Sequence, residues 1–380
     1  MFNVVALSNL VHDRTRLLVG IAGVAFAVLL AFINLGFLGA LSDTAGLLYN
    51  QLDADVYLIS PLSLNGTSTK PFPKERLYQA ASQASVAKAS PLYINYGAWR
   101  NAENNDALFM LGFGFNPKDR PFLLPELKAD SATEALTQPN TVFLDRRSLP
   151  KFGPQRVGLQ TEYNRRNVTI NGLFALGGGL AAEGTVMMGD QNFLRFFSPR
   201  TLDRIDLGLL KLKPGADINQ VVLSLRQRLP SDVTVYSKAD IIARDRQYWL
   251  ETTAVGFIFS LGVGVALIVG AAIVYQILYA DIAKNFKEYA TLKAIGFHNR
   301  FLMGVVLQEA LLLALMGFVP GLILSLSVYQ LIIQATNEAI PMVMPPDRVV
   351  LVLGLVTATC LLSGVLSLRK ILVADPATVL

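Results

Sequence analysis

The stretch Asp281–Arg300, DIAKNFKEYATLKAIGFHNR, separates two long apolar segments at 254–280 and 301–333. Its charged residues are mostly basic: Lys284, Lys287, Lys293 and Arg300, against Asp281 and Glu288. A short basic loop between two apolar spans is typical of the cytoplasmic side of a membrane, where lysine and arginine accumulate. The stretch therefore predicts a cytoplasmic loop between two transmembrane helices.

The same stretch carries a helical pattern. Glu288, Leu292 and Ile295 recur at spacings of four and three residues, so they share one face of a helix. Gly296 is the predicted helix end, because glycine adopts the left-handed cap conformation without steric cost. A short helix in this place can contact a cytoplasmic partner and move both neighbouring spans together.

Composition predicts an integral membrane protein. The 380 residues are 52% hydrophobic and 16% charged, with a mean hydropathy of +0.44, which is too apolar for a typical soluble domain. The basic residues behind the net charge of +5 are scattered, and the predicted cytoplasmic ones lie beside the spans, so the charge indicates membrane topology and argues against nucleic-acid binding. The single cysteine, Cys360, excludes an intrachain disulfide and a cysteine metal cluster.

The first part of the chain predicts an interfacial segment and then a span. Residues 1–16 are predicted as a helix at the membrane interface, with a disordered N-terminus as the alternative. Residues 17–41 hold no charge and form the first predicted span. A cleaved signal peptide is the alternative, but its apolar region would usually be only about 7–15 residues long.

Two spans carry small residues at every fourth position, a pattern that lets helices approach closely. They are Gly23, Ala27 and Ala31 in the first span, and Gly262, Ala266 and Gly270 in the second. The later segments are predicted as a second span (254–280), a cytoplasmic coupling helix (281–300), a third span (301–333), a short outer loop (334–348), a fourth span (349–368) and a cytoplasmic tail (369–380). Four spans place both termini on the cytoplasmic side.

Residues 42–253 alternate short strands and helices and predict a large α+β domain outside the membrane. Two βαβ-like halves flank a middle subdomain at about 105–200. The predicted strands are 55–60, 87–99, 107–115, 141–144, 167–174, 205–212 and 233–236, with a glycine-rich turn and strand at 176–189, and the helices are 74–83 and 218–229. Residues 237–253 are predicted as a stalk helix that runs without interruption into the second span.

The sequence predicts no catalytic or metal-binding residues. The insertion has no histidine, its acids are spread singly, and the phosphate-binding motif G-x-x-x-x-G-K-[ST] does not occur in the chain. Gly112 and Gly114 form a G-x-G pair that lacks the third glycine of a dinucleotide motif. We therefore expect the insertion to be a binding and docking module.

Several motifs resemble the membrane subunits of the FtsX and MacB family of ATP-binding cassette (ABC) transporters. Residues 287–321, KEYATLKAIGFHNRFLMGVVLQEALLLALMGFVPG, match the family pattern at Glu288, Leu292, Ala294, Gly296, Glu309, Gly317 and Gly321. The entry into the first span and the D-P-A run at Asp375–Ala377 are also similar to the family. Within it, the opening sequence and the layout most resemble DevC-type subunits of cyanobacteria.

The resemblance implies a four-helix membrane protein with a large periplasmic domain that has porter and β-rich subdomains. It implies a permease subunit, not itself an enzyme, in the bacterial inner membrane. ATP and Mg would be bound by a separate ATPase, and a periplasmic membrane-fusion adaptor would lead to a TolC-like outer-membrane channel. The cargo would be a glycolipid, a lipid or a hydrophobic small molecule. The alternatives are a lipoprotein-release subunit and an FtsX-like regulator of cell-wall hydrolases that transports nothing.

Two residue sets follow from this resemblance. Contact with the ATPase is expected on the coupling helix, at Lys284, Lys287, Glu288, Leu292, Lys293, Ile295 and Gly296. The family works with two membrane halves, so a homodimer is expected, built partly on the two small-residue faces at Gly23, Ala27, Ala31, Gly262, Ala266 and Gly270.

Overall fold

A computed structural model of the chain describes residues 14–284, 291, 295, 297–340 and 342–373. The chain divides into two compact units. The membrane unit comprises Met1–Gly39, Phe257–Leu331 and Met342–Leu380, and the inserted unit comprises Ala40–Gly256 and Ile332–Pro341. Most of the predicted coupling helix lies outside the described residues.

The described elements are, in chain order, α1 (Arg14–Asn50), β1 (Val56–Ile59), β2 (Phe72–Pro73), α2 (Glu75–Ala81), β3 (Val86–Arg100), β4 (Ala107–Phe115), α3 (Asp130–Thr137), β5 (Thr141–Asp145), β6 (Gln160–Tyr163), β7 (Arg166–Phe174), β8 (Thr185–Gly189), α4 (Asp190–Phe196), β9 (Arg204–Ile205), β10 (Leu207–Leu212), α5 (Ile218–Arg228), β11 (Thr234–Ser237), α6 (Lys238–Gln247), α7 (Ala254–Lys284), α8 (Asn299–Ala335) and α9 (Pro346–Val373).

Within the described residues, α1, α7, α8 and α9 are long and apolar enough to cross a membrane. The α+β domain lies between the first two of these helices. The predicted fold class, four spans with a large α+β insertion after the first, is confirmed. α1 continues unbroken to Asn50, beyond the limit of the first span predicted at residue 41.

The inserted unit is built on one nine-stranded sheet, in the order β11-β1-β10-β3-β4-β8-β5-β7-β6. The long strand β3 pairs with β10 through its first half and with β4 through its second half. Thus β3 joins the strands from the two flanking segments to those from the middle segment at about 105–200. Side chains alternate between two buried faces: Val56 and Leu58 pack with α2 and α5, and Tyr57 and Ile59 pack with α6.

The structure corrects the predicted stalk helix over 237–253. The α-helix α6 ends at Gln247, residues Tyr248–Thr252 form a wider turn with π-helical hydrogen bonding, and Thr253 is extended, with φ −86° and ψ 146°. The Thr253 hydroxyl accepts a hydrogen bond from the Gly256 N–H at 3.1 Å, which caps the first turn of α7. The side chain of Thr253 therefore starts a new helix where the charge pattern predicted a continuous one.

Candidate functional site

The small-residue faces of α1 and α7 lie against each other within one chain. A Cβ placed on Gly270 would lie 2.7 Å from the Ala27 Cβ, and one placed on Gly262 would lie 2.1 Å from the Asn34 Oδ1. Both distances are below normal van der Waals separation, so a side chain at Gly270 would clash with the Ala27 Cβ, and one at Gly262 would require Asn34 to move. The two helices can approach this closely because these residues are glycines.

The other members of the predicted small-residue set are also packed inside the membrane unit. A Cβ placed on Gly23 would lie 2.4 Å from the Ile273 Cγ2. Ala31 and Ala266 are both buried, with relative exposures of 1% and 0%. These contacts lie within a single chain, and the additional role of these residues in a homodimer stays a prediction.

α1 packs against α8 through two further glycines. A Cβ placed on Gly317 would lie 2.5 Å from the Val24 Cβ, and one placed on Gly321 would lie 2.7 Å from the Val28 Cβ. These are two of the glycines that carry the family resemblance. Their position explains why a bulky side chain is absent there, and it makes α1 the helix on which both α7 and α8 pack.

An ion pair joins the N-terminal turn of α1 to the C-terminal turn of α7, where the coupling stretch begins. Arg16 Nη1 lies 3.3 Å from Asp281 Oδ1, and both side chains are partly buried. Lys284, the last residue of α7, is exposed, and Ile295 is 71% exposed. The other predicted coupling residues, Lys287, Glu288, Leu292, Lys293 and Gly296, lie outside the described residues.

One acid of the resemblance, Glu309, lies inside α8 with 1% relative exposure. An ionisable side chain within a membrane span is a functional candidate, because burying a charge there is costly.

A buried carboxylate holds three segments of the inserted unit together. Asp245, in α6, is 2% exposed, and its Oδ2 accepts hydrogen bonds from the Tyr49 hydroxyl at 2.8 Å and the Gly66 N–H at 2.7 Å. Arg244 Nη1 lies 3.2 Å from Asp245 Oδ1. Tyr49 belongs to the last turn of α1, so Asp245 ties the end of α1 to α6. No local sequence pattern indicated this contact.

Burial raises the pKa of the Asp245 carboxyl above its usual value. Desolvation raises its pKa to about 6, and the hydrogen bonds from Gly66 and Tyr49 and the charge of Arg244 offset this only in part. Because the pKa in the folded chain lies above the unfolded value of about 3.9, the folded state binds this proton more tightly. The contribution of Asp245 to stability is therefore present at low pH and falls as the pH rises from about 4 to about 6.

We predict that Asp245→Asn removes this pH dependence. The unfolding temperature of the full chain in detergent would be measured from about pH 4 to about pH 7. The wild-type value minus the Asp245→Asn value should fall across this window, whereas Asp240→Asn, an exposed position on the same helix, should leave the profile unchanged. A difference between wild type and Asp245→Asn that is constant with pH would contradict the prediction.

Two other buried carboxylates fix the sheet of the inserted unit. Asp145 accepts hydrogen bonds from the Gly177 N–H at 2.7 Å and the Thr185 hydroxyl at 2.8 Å. Asp206 accepts from Arg200 at 2.7 Å and from the backbone N–H of Ile94 at 2.8 Å. Burial is the main cause that raises the pKa of both groups. In the described part of the chain, no group of three or more His, Cys, Asp or Glu side chains is placed to hold a metal ion.

Comparison with known families places the resemblance in the C-terminal part of the chain. Residues 247–376 match the family described as FtsX-like permease C-terminal. Uncharacterized ABC transporter permeases of Mycobacterium tuberculosis and Mycobacterium bovis are each 31% identical over 110 residues, which is 29% of this chain and 30% of theirs. The match therefore spans less than a third of the length of these relatives. The predicted resemblance to FtsX-like permeases is confirmed, and the assignment to the DevC type stays a prediction.

Two solved structures are similar to about half of this chain. The periplasmic region of MacB from Actinobacillus actinomycetemcomitans is 14% identical, with a TM-score of 0.37, over 50% of this chain and 92% of that region. The extracellular domain of the noncanonic ABC-type transporter YknZ from Gram-positive bacteria is 10% identical, with a TM-score of 0.36, over 48% of this chain and 100% of that domain.

Proposed function

We propose that this chain, whose residues 247–376 form an FtsX-like permease domain, is the membrane subunit of an ABC exporter driven by a separate ATPase. The observation that carries the proposal is the combination of this domain with four membrane-length helices and a large α+β insertion after the first. The chain itself performs no chemistry in this proposal. ATP and Mg are bound and used by the partner, and this chain transmits the resulting motion.

The packing of the membrane unit supports a route for that motion. The stretch 281–300 connects α7 to α8 along the chain, so a force applied there acts on both helices. Each of them packs on α1 through glycine contacts, and the Arg16–Asp281 ion pair joins the first turn of α1 to the last turn of α7. α1 then continues without a break to Tyr49, which is hydrogen-bonded to Asp245 of the inserted unit.

The proposed cargo is a glycolipid, a lipid or a hydrophobic small molecule, taken up from the periplasmic side. The inserted unit would dock a membrane-fusion adaptor, which connects to a TolC-like channel, and two copies of the chain would form the membrane assembly. The lipoprotein-release subunit and the FtsX-like hydrolase regulator are the competing functions. Co-purification of the full chain with its partners, followed by lipid analysis of a deletion strain, separates the three.

The co-purification experiment has distinct outcomes. An adaptor and an ATPase in the complex, with a lipid missing from the outer surface of the deletion strain, supports export. A bound cell-wall hydrolase with unchanged lipids would replace export by regulation, and accumulation of lipoproteins in the inner membrane would replace it by lipoprotein release.

Topology can be tested with a single exposed cysteine in each region. In a Cys360→Ser background, Ser231→Cys in the inserted unit should react with a membrane-impermeant maleimide in intact spheroplasts. Ile295→Cys should react only after lysis, because the basic flanks place residues 281–300 in the cytoplasm. Both side chains are exposed. Labelling of Ser231→Cys only after lysis would refute this topology.

A further inference from the structure

Two consecutive arginines of the inserted unit line an open cavity next to the turn that follows α8. Arg146, Arg147 and Ala175 form one side of it, and Asn337 and Glu338 form the other, around a volume of about 420 Å³. Small-molecule sites in proteins usually occupy about 300–1,000 Å³, so the cavity is large enough for a small polar ligand or a headgroup. No role of this cavity follows from the proposed transport function.

The turn that forms one wall is fixed in an unusual conformation. Asn337 and Glu338 both have left-handed backbone angles, with φ values of 51° and 59°. Two successive non-glycine residues in this region carry a conformational cost, which surrounding contacts must offset. The Asn337 side-chain amide donates a hydrogen bond to the Arg146 carbonyl at 2.7 Å, which holds the turn against the residues that follow β5.

The two arginines differ in how their guanidinium groups are used. Arg146 is paired with Glu126. Arg147 lies 3.7 Å from Glu338 Oε2, which is an ion-pair distance but longer than a hydrogen bond. Both members of this second pair are accessible, with side-chain exposures of 40% and 68%. A guanidinium group offers five N–H donors in a planar fork, so Arg147 retains donors for an additional oxyanion.

We infer that this cavity binds the phosphate group of an anionic ligand, with Arg147 as its principal donor and Glu338 as the internal anion that the ligand displaces. Arginine pairs with phosphate through two parallel hydrogen bonds, which are stronger than one long contact to a carboxylate. The phosphate can come from a lipid headgroup or from a soluble phosphate ester. Since Glu338 belongs to the turn after α8, the ligand would replace the Arg147–Glu338 ion pair, which is one of the contacts of this turn.

The test measures phosphate binding directly and does not depend on transport. The full chain, purified in dodecyl maltoside without phosphate, is titrated calorimetrically with inorganic phosphate and with glycerol 3-phosphate. In parallel, native mass spectrometry counts phosphatidylglycerol molecules that stay bound. Arg147→Gln should weaken binding about tenfold or more, because a charge-assisted hydrogen bond is lost. Glu338→Gln should strengthen binding, because the competing carboxylate is removed.

Opposite effects of the two variants distinguish a ligand site from a purely structural ion pair. Arg156→Gln, an exposed arginine of the same unit, serves as the matched control and should leave binding unchanged. Arg147-dependent binding of the soluble phosphates supports a soluble ligand, and Arg147-dependent retention of phosphatidylglycerol supports a lipid headgroup. The inference is overturned if neither probe depends on Arg147, or if Arg147→Gln and Glu338→Gln shift binding in the same direction.

Discussion

Replacing Gly321 by leucine should prevent assembly of the membrane unit. The first added atom would lie 2.7 Å from the Val28 Cβ and 2.8 Å from the Ala25 carbonyl oxygen. The second of these atoms belongs to the backbone of α1, so it cannot move by changing a rotamer. Overpacking of a well-packed core typically costs about 1–3 kcal/mol, and more where the surroundings cannot adjust. That is a large part of a typical folding stability of about 5–15 kcal/mol.

The measurement is the amount of full chain in the membrane fraction, together with its unfolding temperature in detergent. Gly354→Leu is the matched control, because Gly354 lies in α9 and a Cβ there meets nothing within 4 Å. We expect the control to behave as wild type and Gly321→Leu to be depleted by proteolysis. Equal abundance and equal unfolding temperatures of the two variants would show that α1 and α8 do not pack as described.

Charge reversal at Glu288 should abolish export while leaving the protein in the membrane. If Glu288 meets a basic residue of the ATPase, a lysine in its place introduces repulsion at the contact through which work is transferred. The alternative is that Glu288 pairs only with Lys284 or Lys287 on its own helix. Such surface pairs contribute less than about 1 kcal/mol, so under this alternative Glu288→Lys leaves ATP hydrolysis and export nearly unchanged.

The two cases are separated by measuring three quantities on the same strain: co-purification of the ATPase, ATP hydrolysis by the complex, and export. Glu288→Lys and the double variant Glu288→Lys, Leu292→Asp should lose ATPase binding or hydrolyse ATP without export. Glu103→Lys, an exposed acid of the inserted unit, is the control for a general effect of charge. Normal export by the double variant at normal abundance would rule out the coupling helix.

The sequence predicted those elements that carry a strong local signal, such as an apolar run between polar turns. β4, at Ala107–Phe115, agrees with the predicted strand at both ends, because it is apolar and lies between polar turns. β6, Gln160–Tyr163, was missed, because its polar residues QTEY give no apolar alternation. The helix α3, Asp130–Thr137, was also missed, since it is only eight residues long and buries only Ala132 and Leu136.

The candidate site was less predictable because its contacts join distant parts of the chain. The spacing of Gly262 and Gly270 predicted a close-packed helix face but could not identify the partner, which is α1 of the same chain. Asp245 looked like one charge among several on a polar helix. Its importance comes from Tyr49, which lies 196 residues away in the sequence. A contact of this kind leaves no local pattern.

The interruption between α6 and α7 makes the chain's two junctions around the inserted unit differ in tolerance to changes in length. In the unbroken α1, one extra residue would rotate every later side chain by about 100° and carry Tyr49 away from Asp245. The segment Tyr248–Thr253 already departs from the α-helical repeat. The Thr253 cap begins α7 as a separate helix, so the direction of its side chains does not depend on the number of residues in α6. Homologous chains should therefore vary in length at this junction and keep a fixed spacing along α1.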